Sequence, residues 1–298
     1  MLTRLMMTHQ AQRVHSARWA FNCGSWSPSE KDWQLLASGL DTSDKEQVGK
    51  FVFQKDAKSA MAGRFLTKKF VTEATGLSWR DIRILRDTEH GKPYLPHELY
   101  NCGKVQFNIS HSGDYVVLVG EVGDLNLGVD LMKIEKQRTT TVPEFFRLMN
   151  KQFASEEWEV MKSQKTEAEQ MAMFYRFWCL KESYTKATGT GITVDLQKIC
   201  FKLKSLALAQ NSIIDSTEVY VDGHKQEGWK FEETMIDSNH IATVAIGTSN
   251  ECVKLSPSNQ LFRILKYSEL ISEYQKISEN DSDYAWQYMS KKLKPGCG

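Results

Sequence analysis

The stretch Val105-Gln106-Phe107-Asn108-Ile109-Ser110-His111-Ser112-Gly113-Asp114-Tyr115-Val116-Val117-Leu118-Val119-Gly120-Glu121-Val122-Gly123-Asp124-Leu125-Asn126-Leu127-Gly128-Val129-Asp130-Leu131-Met132 carries most of the fold information in this chain. Residues 105–110 alternate with period two, the pattern of a half-buried strand. Ser112-Gly113-Asp114 makes a tight turn, and Tyr115 to Val122 is a continuous apolar strand, so 105–122 reads as a hairpin. Gly123-Asp124 breaks it. The run from Leu125 then ends in Gly128-Val129-Asp130, an acidic residue at the end of a β segment.

Upstream, Arg18-Trp19-Ala20-Phe21 reads as a short strand, and Ser29 is a candidate helix N-cap. An amphipathic helix is predicted over 54–75, with Ala57, Met61, Phe65, Leu66 and Phe70 inward and Gly76 as its C-cap. Lys55, Lys58, Arg64, Lys68 and Lys69 supply a solvated basic side. Short strands at 82–86 and 92–95 flank the turn Glu89-His90-Gly91. Downstream, Pro143 opens one helix, Ser155-Glu156-Glu157-Trp158 another, and the strongest runs over 165–188 until Gly189 and Gly191 stop it. Strands follow at 199–203, 217–222, 228–233 and 240–246, with Asp222-Gly223 a hairpin turn. The order gives two similar α+β halves joined near 123–127, here divided as 1–125 and 126–250. Residues 251–298 read as a polar tail, partly disordered, on the strength of Ser278-Glu279-Asn280-Asp281-Ser282-Asp283 and the final lysines.

The 298 residues carry 38 Lys+Arg against 37 Asp+Glu. Such a balance excludes a global basic field, and with it nucleic-acid or membrane-surface binding as the basis of function. Hydrophobic residues at 41% and charged residues at 25% are ordinary for a globular protein. No apolar run reaches membrane-spanning length, and the apolar start ends at His9-Gln10, too soon for a secretory signal. Cysteines 23, 102, 179, 200, 252 and 297 include no C-x-x-C pair. Free thiols in a reducing compartment, the cytosol, are expected.

Four segments could carry chemistry. Arg86 to Pro93 places two cations around a glycine turn that lets backbone N–H groups approach an anion. Its plainer reading is a hairpin with surface charges. Asn108-Ile109-Ser110-His111 ends a strand with a hydroxyl and an imidazole that could hold phosphate, or it is a turn satisfying its own backbone. Gly128 permits close approach and Asp130 could bind a hard cation, although strand-end aspartates are common. In Trp178-Cys179-Leu180-Lys181-Glu182-Ser183-Tyr184-Thr185-Lys186, Glu182 and Lys186 share a helix face. A surface ion pair is the ordinary account, but the apolar surroundings favour a cleft. Together the set suits a Mg²⁺-bound pyrophosphate, because magnesium takes one or two carboxylates plus phosphate oxygens and water.

These segments, in this order and spacing, resemble the 4'-phosphopantetheinyl transferases of the surfactin-synthetase (Sfp) type. The specific matches are Gly91-Lys92-Pro93, Phe107 to Ser112, Gly128-Val129-Asp130, and the W-x-x-K-E-[SA]-[FY]-x-K run ending at Lys186. Arg18 to Phe21, Phe51-Val52-Phe53, Pro143 to Phe146 and Met173 to Arg176 resemble the animal branch, over about residues 17–247. The resemblance implies an α+β pseudo-dimer, each half a small antiparallel sheet packed with helices, with coenzyme A between them. It implies Mg²⁺-dependent transfer of 4'-phosphopantetheine from coenzyme A to a serine of apo carrier proteins, releasing adenosine 3',5'-bisphosphate. The fatty acid synthase acyl carrier domain and the aminoadipate-reducing enzyme are the implied carriers, and a monomer suffices.

By the same resemblance, Asp130 and Glu182 hold Mg²⁺, and Glu182 and Lys186 are catalytic. His111 contacts phosphate with Asn108 and Ser110 beside it, Lys186 contacts the phosphates beside the metal, and Arg86, Gly91 and Lys92 meet the nucleotide end of coenzyme A. Two positions depart from the family pattern. Met132 stands where bacterial relatives often carry a third acidic ligand, so a water completes the shell. Gln47 stands where animal members have an arginine near the 3'-phosphate, with Lys45 and Lys50 nearby. Acidic carriers would meet a basic face, for which Lys68 and Lys69 are candidates.

Overall fold

The computed structural model describes residues 14–135, 140–191, 194–248 and 260–293. The chain begins with β1 (Ser16–Asn22), α1 (Glu30–Ser38), α2 (Thr42–Gly49) and α3 (Gln54–Thr75). β2 (Leu85–Arg86) and β3 (Pro93–Tyr94) form a short hairpin, and β4 (Val105–Ser112) and β5 (Tyr115–Val122) the long one. Then come β6 (Asn126–Lys133), α4 (Val142–Leu148), α5 (Ser155–Lys162), α6 (Glu167–Thr188), β7 (Ile199–Lys202), β8 (Glu218–Val221), β9 (His224–Lys225), β10 (Trp229–Met235) and β11 (His240–Gly247). β12 (Arg263–Ile264), α7 (Tyr267–Leu270) and α8 (Ser282–Met289) follow.

Local signals account for the element ends. Ser29 accepts from Asp32 N while Asp32 reaches back to it, a capping box. Gly76 and Gly189 end α3 and α6 at φ 77° and 74°, a left-handed conformation that glycine adopts without a Cβ clash. Asp222-Gly223 turns between β8 and β9 with both φ positive.

The first half is a sheet in the order β12-β1-β5-β4 packed on α3, and the second a sheet β10-β11-β6 packed on α6. A third sheet, β7-β8-β9, lies beyond α6, where Phe201 joins the core of the second half. The fold is therefore α+β with two halves, each a small, mainly antiparallel sheet packed by helices. Strand β5 explains its own unbroken apolar run. Val116 and Leu118 join the core beneath α3, while Val117 and Val119 join a separate core with Leu127, Val129 and Leu131 of β6. A strand covered on both faces loses its polar alternation. On β6 the alternate residues Gly128, Asp130 and Met132 are thereby turned to the other side. Buried Arg18 also joins the halves, pairing with Glu121 of β5 and with Glu232 of β10.

Two expectations are corrected. The polar-tail reading of 251–298 does not hold for residues 260–293, while 251–259 and 294–298 lie outside the described residues. β12 extends the first sheet beside β1, and Leu265, Leu270, Ala285 and Tyr288 are buried in the first core. The signal was Tyr267, Leu270, Ile271, Tyr274 and Ile277 at helical spacing, with serines and acids between them masking it. Lys68 and Lys69 are not a basic face: they are 3% and 5% exposed. Lys68 lies over the Trp79 ring and donates to Trp79 O, while Lys69 bonds Glu73 and, in the C-terminal segment, Ser272. The stacked Tyr288 and Trp33 rings are 3.6 Å apart. Tyr288→Ala is expected to cost about 3–5 kcal/mol of stability, as for other large aromatic truncations in a core. A chemical-denaturation midpoint equal to the parent's would show that the segment is dispensable.

Candidate active site

The cleft between the halves begins with two strand edges. β4 ends the first sheet and β6 ends the second, so neither strand has a backbone partner in the other's sheet. Side chains close the gap. Asn108 Oδ1 accepts from Val129 N at 2.9 Å, Ser110 Oγ donates to Asp130 Oδ1 at 2.8 Å, and Ser112 Oγ accepts from Lys133 N at 3.0 Å. Residues 108, 110 and 112 share one face of β4 because strand side chains repeat every two residues. A polar ladder thus holds the halves together along the cleft.

The wall opposite is α6. A Cβ on Gly128 would lie 2.2 Å from Ser183 O and 2.5 Å from Ala187 N, so only glycine lets the helix settle on β6. That seat brings Lys186 Nζ to 2.7 Å from Asp130 Oδ1 and 3.1 Å from Ser110 Oγ. Ser110, His111, Ser112, Asp130, Met132, Trp178, Glu182 and Lys186 line a cavity of about 340 Å³. Gly128→Ala is expected to push α6 off β6 at a cost of about 3 kcal/mol, the upper end for overpacking. A variant with the parent's denaturation midpoint would mean that the helix does not depend on this contact.

Burial and charge differ along the cleft. Asp130 is 4% exposed, and its Oδ2 is buried without a partner. A buried carboxylate oxygen with nothing to accept from is costly in water's absence and suits a cation. Glu182 is half-buried, and among the described residues its carboxylate takes no hydrogen bond. Its pKa is raised, first by desolvation and then by the Asp130 charge, with Lys186 opposing. Among the described residues no group of three or more His, Cys, Asp or Glu forms a metal cage. Two carboxylates are what magnesium takes when phosphates and water supply the rest, so the donor set fits that ion. Met132 lines the cleft as expected from its place on β6, and adds no carboxylate.

The predicted site residues divide into three groups. Ser110, His111, Asp130, Glu182 and Lys186 meet in one cavity. Asn108 is buried and spends its oxygen on the β6 backbone, a joining contact. Arg86, Gly91 and Lys92 lie on the β2–β3 hairpin. Its N–H groups at 89, 90 and 92 are taken by the hairpin's own Asp87, whose carboxyl is held below its usual range chiefly by the His90 N–H. As folded, the turn satisfies itself. Arg86 donates to Gly91 O at 2.9 Å. Lys92 Nζ donates to Leu127 O and Ala187 O at 3.2 Å each, tying the hairpin to β6 and the end of α6, and desolvation lowers its pKa. Gln47 accepts from Arg64 Nη2 at 2.9 Å, and Lys45 donates to Ser278.

Ser112 and Trp178 line the cleft although the sequence assigned neither a role. The period-two spacing of 108, 110 and 112 was the available signal for Ser112. The described cysteines, 23, 102, 179 and 200, are free, while Cys252 and Cys297 lie outside the described residues. No helix among the described residues is long and apolar enough to cross a membrane.

Comparison with known proteins bears on both halves. A family model described as "4'-phosphopantetheinyl transferase, N-terminal" matches residues 24–123, and one described as "4'-phosphopantetheinyl transferase superfamily" matches residues 126–245. The L-aminoadipate-semialdehyde dehydrogenase-phosphopantetheinyl transferase of Homo sapiens is 38% identical, covering 91% of this chain and 90% of that protein. That coverage is wider than 17–247. A phosphopantetheinyl transferase of Thraustochytrium is 34% identical over 76% of this chain and 77% of its own length. A Bacillus subtilis 4'-phosphopantetheinyl transferase is 30% identical over 59% and 71%. With both halves matched and the cleft between them built from the motif residues, the chain belongs to the 4'-phosphopantetheinyl transferase superfamily and is an enzyme of that class.

Proposed function

We propose that the cleft moves 4'-phosphopantetheine from coenzyme A to a serine of an apo carrier protein in a Mg²⁺-dependent reaction. The observation that carries this reading is the pairing of the unpartnered Asp130 Oδ2 with Glu182 and Lys186 in one cavity. Asp130 and Glu182 would hold the magnesium, which when bound neutralises charge on the pyrophosphate. Lys186 and His111, which line the cavity, would meet the phosphates, and Arg86 and Lys92 of the β2–β3 hairpin would meet the nucleotide end.

Glu182 takes the proton of the carrier serine, a role favoured by a carboxylate whose pKa is raised by burial. The serine oxygen then bonds to the phosphorus bearing pantetheine, and the bond from that phosphorus to the bridging oxygen breaks. The electron pair leaves on adenosine 3',5'-bisphosphate, whose new charge Lys186 balances. Residues 1–125 and 126–250 act as two halves of one site, so a monomer carries the whole cleft. The aminoadipate-reducing enzyme and the fatty acid synthase carrier domain are the proposed carriers, and the cytosol the proposed location.

Incubation with coenzyme A, Mg²⁺ and apo-acyl carrier protein tests the reading by mass spectrometry. A phosphopantetheine gain on the carrier that is lost on chelation supports it. Coenzyme A binding without any gain would overturn it in favour of a non-catalytic binding module.

A further inference from the structure

The turn that ends β4 rests on a buried histidine from the other half. His240, first residue of β11, is 2% exposed. Its Nδ1 is 2.8 Å from Asp237 Oδ1, and its Nε2 is 3.2 Å from the backbone N of Asp114. A backbone N–H can only donate, so Nε2 is the acceptor and Nδ1 carries the proton that Asp237 receives. Asp237 thus selects the tautomer that the turn requires. The Tyr115 ring meets the imidazole edge-on at 5.0 Å.

The seat is close. Gly113 has φ 59°, and a Cβ there would fall 2.3 Å from His240 Nε2 and 2.5 Å from Lys133 Cδ. Lys133, the register partner of His240, gives its N–H to Ser112 Oγ and its ammonium to Asp114 Oδ2 at 2.9 Å. Residues 112–114 are therefore gripped from the second half at the open end of the ladder that joins β4 to β6. Ser110, His111 and Ser112 line the cleft immediately before this grip, on a strand edge with no backbone partner on that side.

We propose that His240, oriented by Asp237, is a positioning residue for the cleft. By holding the Ser112–Asp114 turn it sets the distance between the β4 wall, with Ser110 and His111, and Asp130 on β6. It touches no reacting group. The inference rests on the transferase reading, because it predicts weaker coenzyme A binding when the turn is released.

His240→Gln, His240→Leu and Gly113→Ala test it in the full chain by calorimetric coenzyme A binding, transfer kinetics and hydrogen exchange at the Asp114 amide. The Gln side-chain oxygen can replace Nε2 as acceptor, whereas Leu cannot. His240→Leu is expected to raise the coenzyme A Kd about tenfold, the effect of one lost hydrogen bond. It should raise KM more than it lowers kcat and speed exchange at Asp114. His240→Gln should stay within about threefold of the parent by the same scale. Gly113→Ala lifts the turn without altering the imidazole, and should repeat the Leu result even if His240→Leu fails to fold. A folded His240→Leu or Gly113→Ala protein with the parent's coenzyme A affinity overturns the proposal, as does a His240→Gln protein as weak as His240→Leu. Failure of the parent itself to bind coenzyme A would instead refute the transferase reading.

Discussion

Glu182→Gln is expected to lower transfer by about 10²–10⁴-fold, the range for loss of a positioned general base, while the protein remains folded. Glutamine keeps the side chain's shape and removes its proton acceptor. The fold should not suffer. Glu182 has its pKa raised in the folded protein by burial and by Asp130. Between the unfolded and folded pKa values the native state holds more protons, so stability falls as pH rises through that window. Above that window the ionised carboxylate therefore opposes folding, and the neutral amide relieves it. Thermal melting of Glu182→Gln at pH 7 should match or exceed the parent. Unchanged turnover would remove Glu182 from the mechanism, and a large fall in melting temperature would assign it a structural role instead.

Asp130→Ala is the second large effect. One oxygen of Asp130 takes both the Lys186 ammonium and the Ser110 hydroxyl, and the other is buried with nothing to accept from. Truncation removes the counter-charge that orients Lys186 and one of two carboxylates able to hold the metal. Transfer is expected to fall about 10²–10³-fold, as for loss of one electrostatic contact to developing charge. Stability should change less, by about 1–3 kcal/mol, because Lys186 is 28% exposed in its side chain and can turn to water. Metal affinity supplies a readout independent of turnover. Calorimetric Mg²⁺ titration in the presence of coenzyme A should shift to higher concentration, and a curve equal to the parent's would contradict the assignment.

The sequence made some parts of the site legible and hid others for identifiable reasons. Glu182 and Lys186 were readable as a pair because an α-helix places i and i+4 on one face. Gly128 was readable as a close approach because no other residue tolerates one. The double burial of β5 was visible as an unbroken apolar run. The burial of Lys68 and Lys69 is hidden because helical period describes one helix alone, whereas Trp79 covers Lys68 and a C-terminal segment about 200 residues away covers Lys69. The glycine turn at 91 was readable as a turn, but that Asp87 would take its N–H groups depends on the turn's geometry. Lys92 looked like a free cation, and only the packing of three elements shows it on two carbonyls.

Element types follow from the chain itself, because they depend on neighbours within a few residues. The contacts that make a cleft do not. Ser110 meets Asp130 across 20 residues, Lys186 meets Asp130 across 56, and His240 meets the Asp114 amide across 126. Each is set by how two sheets pack through a shared core and how closely α6 lies on Gly128. Local propensity carries no term for those distances. The near-cancelling total charge likewise gives no sign of this charged cleft, since folding, not composition, brings Lys186 and His111 into one cavity with two carboxylates.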